Sequence, residues 1–204
     1  MGVIYIFPNK KMKRYNLERE KLLNAILYFA KNVQNANKTK IFKLLYLIDF
    51  ESFKSTGNSI TGLDYYTWKF GPVPKSLFEE IEKMKPPSDF KKFLTIIEEW
   101  DEHEERKSFI FKAKKNPDME VFSELEEEII QRIVNIYRDV TAKDIMEITH
   151  LKNTPWEITK RTKGMNEKID ILLAIDNDSK INEETAKDRL KVKEESKKIF
   201  EAYG

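Results

Sequence analysis

Between Lys38 and Gly57 apolar side chains recur at three- and four-residue spacing on two faces at once. Ile41, Leu44, Leu45, Ile48 and Ser52 share one face, and Phe42, Tyr46, Asp49 and Phe53 share another. A helix that is apolar on two sides is covered on two sides, so this segment is expected to be the central helix of its domain. Asn37 or Thr39 is placed to cap its start, and Gly57 to end it. Asp49 reads as the one ionisable group among these apolar positions. Desolvating an isolated carboxylate is costly, so Asp49 is expected to be hydrogen-bonded.

The pattern then changes period. Ile60-Thr61-Gly62 is a turn signal, and the aromatic, β-branched run Asp64 to Phe70 favours a strand. Gly71-Pro72-Val73-Pro74 reads as a rigid corner that launches a third helix through Leu77, Phe78, Ile81 and Met84, halted near Pro86 and Pro87. Trp68 is expected to anchor the core where the strand meets the central helix. The donors nearest to Asp49 would be backbone N–H groups of residues 60–73, those of Gly71 and Val73 among them, or aromatic hydroxyls of the same segment.

Elsewhere, Leu22, Leu23, Ile26, Phe29, Ala30 and Val33 predict a helix over 17–33 that pairs antiparallel with the central one. Phe90, Phe93, Leu94, Ile97 and Trp100 predict a helix over 89–100. Ser108 to Ala113 reads as a strand able to pair with the one near Tyr65 to Phe70. Ser123 with Glu126 forms a capping box ahead of Leu125, Ile129, Ile133 and Ile136. Thr141 with Asp144 opens a helix carrying Ile145, Ile148 and Leu151, and Pro155-Trp156 begins another that Gly164 breaks. Val3 to Phe7 reads either as an edge strand or as a disordered end. Asn182 to Tyr203 reads as a charged helix whose thin stripe, Ala186, Leu190, Ile199 and Tyr203, docks weakly, meets another chain or frays. The expected organisation is an N-terminal arm over 1–15, a domain over 16–176 and a charged helical tail over 177–204. The fold class is α+β, mostly α-helical, a single domain with a small antiparallel hairpin or sheet.

Composition narrows the chemistry. The chain has 204 residues, enough for one good core, and 35% of them are charged with a net charge of only +2. Interspersed charge of both signs describes a solvated surface better than a phosphate-binding face, and the basic cluster Lys10 to Arg14, which could touch nucleic acid, reads more simply as a solvated N-terminal arm. With no cysteine there is no disulfide and no cysteine-based metal site, which fits a cytoplasmic location. No segment approaches the roughly 20 apolar residues of a membrane span.

Catalytic motifs are missing. Neither a G-x-x-x-x-G-K phosphate loop nor a G-x-G-x-x-G occurs. His103 sits in a polar run. His150 near Asp144 and Glu147 lacks the further ligands that zinc requires, so it reads as structural, with its ring bonded to an acceptor. No catalytic residue, metal or cofactor is assigned. Trp68, Phe70, Trp100 and Trp156 could stack on bases, but aromatic residues in such positions are more often core.

KLLYLIDF (Lys43 to Phe50), a glycine, ITG (Ile60 to Gly62) and TWKFGPV (Thr67 to Val73) together resemble the Panacea domain of SocA-like antitoxins. THLKNTPW, Thr149 to Trp156, is similar to the His-to-Trp stretch near that family's C-terminal end. The resemblance spans roughly Leu17 to Asp176, with Thr67 standing where a small residue such as alanine is expected. It implies an antitoxin of a bacterial or phage toxin–antitoxin system, which neutralises a partner toxin protein by stoichiometric binding rather than by turnover. A DNA-binding autoregulator is the alternative, with Lys160, Arg161 and Lys163 near a possible helix pair; an enzyme is a third reading. The motif residues set aside for structural or partner-binding roles are Asp49, Trp68, Phe70, Gly71, Pro72, Val73, His150 and Trp156. The expected partner is a toxin. Self-association through the tail and contact with nucleic acid are further possibilities, and a membrane is not expected.

Overall fold

In the computed structural model of the protein, residues 10–82, 88–101 and 106–203 are described. The expectations for Val3 to Phe7, Met84, Pro86 and Pro87, and His103 fall outside them. Helix α1 (Lys10–Asn32) begins within the anticipated arm rather than at Leu17. Helix α2 (Lys38–Thr56) follows a short turn. Asn37 caps it by accepting from the Lys40 N–H, and Gly57, at φ +71°, closes it with its N–H on the Phe53 carbonyl. Twelve of the nineteen α2 residues are buried, a fraction that only a helix covered on several sides can reach. Those covers are α1, helices α5 (Glu124–Tyr137) and α6 (Ala142–Thr149), and two short antiparallel sheets.

The first sheet pairs β1 (Tyr65–Trp68) with β2 (Gly71–Pro74), followed directly by α3 (Lys75–Glu82). The anticipated rigid corner is therefore a strand. Alternation along the ladder explains how a strand can hold two prolines. The Thr67 N–H donates to the Glu167 carbonyl, and the Tyr65 carbonyl accepts from the Ile169 N–H, both on the side away from β2. Pro72 and Pro74 stand opposite those two residues, where β2 needs no donor. Residues 166–169 thus act as a third strand, and β1 lies in the middle.

The second sheet corrects two expectations. Residues 89–100 are not one helix: a short α4 (Ser88–Phe93) gives way to β3 (Leu94–Asp101), which pairs with β4 (Arg106–Ala113). The spacing of Phe90, Phe93, Ile97 and Trp100 fits a helix. The β-branched run Thr95-Ile96-Ile97 fits a strand equally well, and β4 needs a partner for its backbone. Leu94 and Ile96 face the core beside Phe111 and Phe109, whereas Trp100, further along the same face, is 62% exposed. The strand over 108–113 therefore pairs with β3 and not with the one near Tyr65 to Phe70. Its other edge touches the α1–α2 turn, where the Phe111 N–H donates to the Ala36 carbonyl.

The Ser123–Glu126 capping box is fully formed at the start of α5. Ile129 and Ile133 are buried as expected, but Ile136 and Leu151 are exposed, and Ile130 and Val134 complete the buried face of α5 instead. Helix α7 (Pro155–Lys163) is followed by a 3-10 turn (Ile171–Ala174) and helix α8 (Glu183–Tyr203).

The first half of α8 is part of the packing. Ala186 is fully buried, Leu190 lies against the core, and Arg189 donates to the Thr56 carbonyl at the end of α2. Deleting residues from Asn182 onward should therefore cost about 2–4 kcal/mol in urea unfolding, while deletion from Glu194 onward should stay within about 0.5 kcal/mol.

Candidate functional site

Two polar nodes fix how the β1–β2 hairpin sits on α2. The first is Asp49, fully buried. Its Oδ1 accepts from the Thr61 N–H at 2.7 Å, and its Oδ2 accepts from the Thr61 hydroxyl and from the Tyr65 hydroxyl at 2.7 Å. Both kinds of donor expected from residues 60–73 are present, a backbone N–H and an aromatic hydroxyl, though the N–H is that of Thr61 and not of Gly71 or Val73. Burial raises the Asp49 carboxyl to about 6, against the opposing pull of the Thr61 and Tyr65 hydrogen bonds and the Lys193 charge. Tyr46, Phe50 and Tyr65 wall this node with ring centroids 4.1 to 5.9 Å apart.

The second node gathers Gly71, Pro72, Lys43, His150 and Trp156. Lys69 and Phe70 form the tight turn of the hairpin, and Gly71 leaves it at φ +94°, a conformation that L side chains rarely adopt. A Cβ there would lie 2.8 Å from both His150 Nε2 and Lys43 Nζ. The Lys43 ammonium, 1% exposed, donates to the Pro72 carbonyl at 2.9 Å. Burial pulls it down to about 7. His150 caps the end of α6 and stacks on Trp156, with ring centroids 3.9 Å apart and planes 12° from parallel. Its expected ring hydrogen bond is absent among the described residues: Nε2 is buried without a partner, as are Trp156 Nε1 and the Tyr46 hydroxyl. Burial and the charges of Lys43 and Lys160 lower His150 to about 4, so it is neutral at physiological pH.

Thr67 gains a role that alanine could not fill. Its buried hydroxyl donates to the Gly164 carbonyl at 2.9 Å and accepts from the Glu167 N–H at 3.0 Å, tying β1 to the third strand. Thr67→Ala should cost about 1–3 kcal/mol by thermal or denaturant unfolding, and Thr67→Val should not recover the loss.

Beside the second node lies a groove of about 570 Å³, between the β1–β2 turn, the start of α2 and strand β4. Trp68, Phe70, Phe78, Phe109 and Val73 supply its apolar walls, and Lys43 reaches it from below. Trp68 is half-buried rather than a core anchor, and packs edge-on against Phe78 at 4.7 Å. Phe70 is 45% exposed at the turn. Truncating Trp68 should therefore cost less than the 3–5 kcal/mol typical of a fully buried tryptophan.

Residues 41–157, more than half of the chain, match the family model described as antitoxin SocA-like, Panacea domain. The chain belongs to the SocA-like antitoxin family. The Panacea match takes in almost all of α2, both strands of the hairpin, and the His150–Trp156 stack. No curated protein and no solved structure matches the chain significantly.

The candidate residues fall into three places in this Panacea domain. Asp49 stands alone at the first node. Gly71, Pro72, His150 and Trp156 meet at the second, although His150 and Trp156 lie far from the others in sequence. Trp68, Phe70 and Val73 line the groove. The sequence reading missed the two buried lysines of α2, Lys40 and Lys43. Lys40 donates to the Gln34 and Arg138 carbonyls at 2.9 and 2.8 Å, which secures the end of α5. The available signal was helical phase: Lys43 precedes Tyr46 by three residues and Phe50 by seven, on a covered face.

Among the described residues no group of three or more His, Asp or Glu side chains could hold a metal ion, and no helix is long and apolar enough to cross a membrane. The α6–α7 pair is poorly arranged for reading DNA. Helix α7 begins with half-buried Pro155 and buried Trp156, and its basic residues lie in the last turn rather than the first.

Proposed function

We propose that this protein neutralises a partner toxin by direct stoichiometric binding in the cytoplasm, and that the groove beside the β1–β2 turn is the face the toxin meets. The observation that carries this reading is membership of the SocA-like antitoxin family through residues 41–157, the part that builds the hairpin and most of α2. The groove supports the choice of face. Its backbone is set by Asp49 and Gly71 before any partner arrives, so little ordering cost falls on binding. Its aromatic walls supply contact area of the kind that dominates protein interfaces. The mechanism is occupancy of the toxin and not turnover. Val192 and Ile199, exposed seven residues apart on α8, are the side chains through which the tail would self-associate.

The test is the protein encoded by the neighbouring open reading frame. Its expression alone should arrest growth, co-expression with this chain should restore it, and the two should co-elute as a complex of fixed stoichiometry. Trp68→Ala and Phe70→Ala should lose protection while remaining folded. A neighbour that is harmless alone, or protection without any complex, would remove the proposal.

A further inference from the structure

The groove carries more positive charge than an apolar docking face needs. Among the described residues four lysines line it, Lys38, Lys43, Lys69 and Lys107, against one acid, Glu82. Lys38 pairs with Glu82, Lys107 pairs with Glu98, and Lys69 lies over the Phe70 ring. Lys43 differs from all three in being buried. Its ammonium has three N–H groups, and the recorded acceptor is the Pro72 carbonyl. Among the described residues no carboxylate pairs with it. A buried charge without a counter-ion is a costly arrangement, and the unpartnered Nε2 of neutral His150 offers no negative charge to offset it. The N-terminus of the nineteen-residue α2 opens into the same groove at Asn37, Lys38 and Thr39, and the positive end of its dipole adds to the field.

We infer that the groove reads a carboxylate: the segment it receives carries an aspartate or glutamate side chain that pairs with Lys43, next to an apolar side chain that lies against Trp68 and Phe109. This rests on the reading of the groove as the partner face and adds the chemistry of what enters. The flexible four-carbon stem of Lys43 lets the ammonium turn from the Pro72 carbonyl toward the groove without moving the backbone. Burial lowers the Lys43 ammonium to about 7, and pairing with a carboxylate would raise it again.

The test compares two end-blocked pentapeptides, one with a central glutamate between two phenylalanines and the other with glutamine in its place. Both are titrated into the isotopically labelled full chain and followed by NMR. The glutamate peptide should shift the Trp68 indole signal and bind at least about tenfold more tightly than the glutamine peptide. Lys43→Met should abolish that preference, while Lys112→Met, a change on exposed β4 surface outside the groove, should leave it intact. Equal affinity for the two peptides, or no saturable shift from either at millimolar concentration, overturns the inference using the unaltered protein alone. A preference that survives in folded Lys43→Met overturns it too. Trp68 shifts that track protein concentration without peptide, together with a dimer by light scattering, would assign the groove to a second copy of the chain instead. A chain that protects cells from its neighbour's product yet fails the peptide comparison keeps the antitoxin reading and loses only the carboxylate.

Discussion

Asp49→Ala is expected to destabilise the fold by about 3–5 kcal/mol, because it strands three buried donors at once: the Thr61 N–H, the Thr61 hydroxyl and the Tyr65 hydroxyl. Asp49→Asn should be mild, since the amide oxygen still accepts from the Thr61 N–H and the hydroxyls can turn to accept from the amide nitrogen. The pair also separates charge from hydrogen bonding. The folded-state pKa of Asp49 is raised, from 3.8 to about 6. Below pH 3.8 both folded and unfolded chains hold the proton and the carboxyl is neutral. Between 3.8 and 6 the unfolded chain releases its proton first, so stability falls as pH rises. Above 6 the full penalty, about 3 kcal/mol, is present.

His150 acts in the opposite sense over nearly the same range. Its folded-state pKa is lowered, so stability rises as pH climbs from about 4 toward 6.5. The two groups oppose each other in the wild-type profile, and the difference between wild type and Asp49→Asn is the informative quantity. Relative to wild type, the asparagine variant should gain about 3 kcal/mol between pH 3.5 and pH 7 in chemical denaturation. A constant difference across that range would mean that Asp49 is not held above its ordinary value.

Gly71→Ala is expected to cost about 3 kcal/mol, the second large effect. Two penalties combine. Alanine is strained at φ +94°, and its methyl group would press on His150 Nε2 and Lys43 Nζ at 2.8 Å. The lysine end can swing aside, but the imidazole is held by its stack on Trp156. The near-UV circular dichroism of Trp156 should change along with the melting temperature. An alanine variant as stable as wild type would mean that the turn relaxes and that the hairpin is not fixed on α2 as described.

What could be read from the sequence divides along a physical line. Helix α2, its Asn37 and Gly57 ends, and the Ser123 capping box depend on residues within a turn or two of one another, and the chain shows them directly. Strand β3 was hidden because Phe90, Phe93, Ile97 and Trp100 satisfy the helical period, and only its pairing with β4 decides the matter. Pro72 and Pro74 looked like a corner because their acceptability in a strand depends on residues 166–169, nearly 100 positions away, drawing the backbone of β1 to its other side. The burial of Lys43 was missed for the opposite reason: a lysine is expected at the surface, and here its acceptor comes from a different element.

The third strand also bears on how this domain could be transplanted. The match to the family model ends at residue 157, but the hairpin it contains is closed by backbone beyond that point, and α2 is covered on one side by α1, which precedes it. A graft cut at the borders of that match would carry the recognisable residues while leaving β1 with an open edge and α2 with a bare flank. A transplant of this module therefore has to carry a larger piece than residues 41–157, from the start of α1 to at least the 3-10 turn.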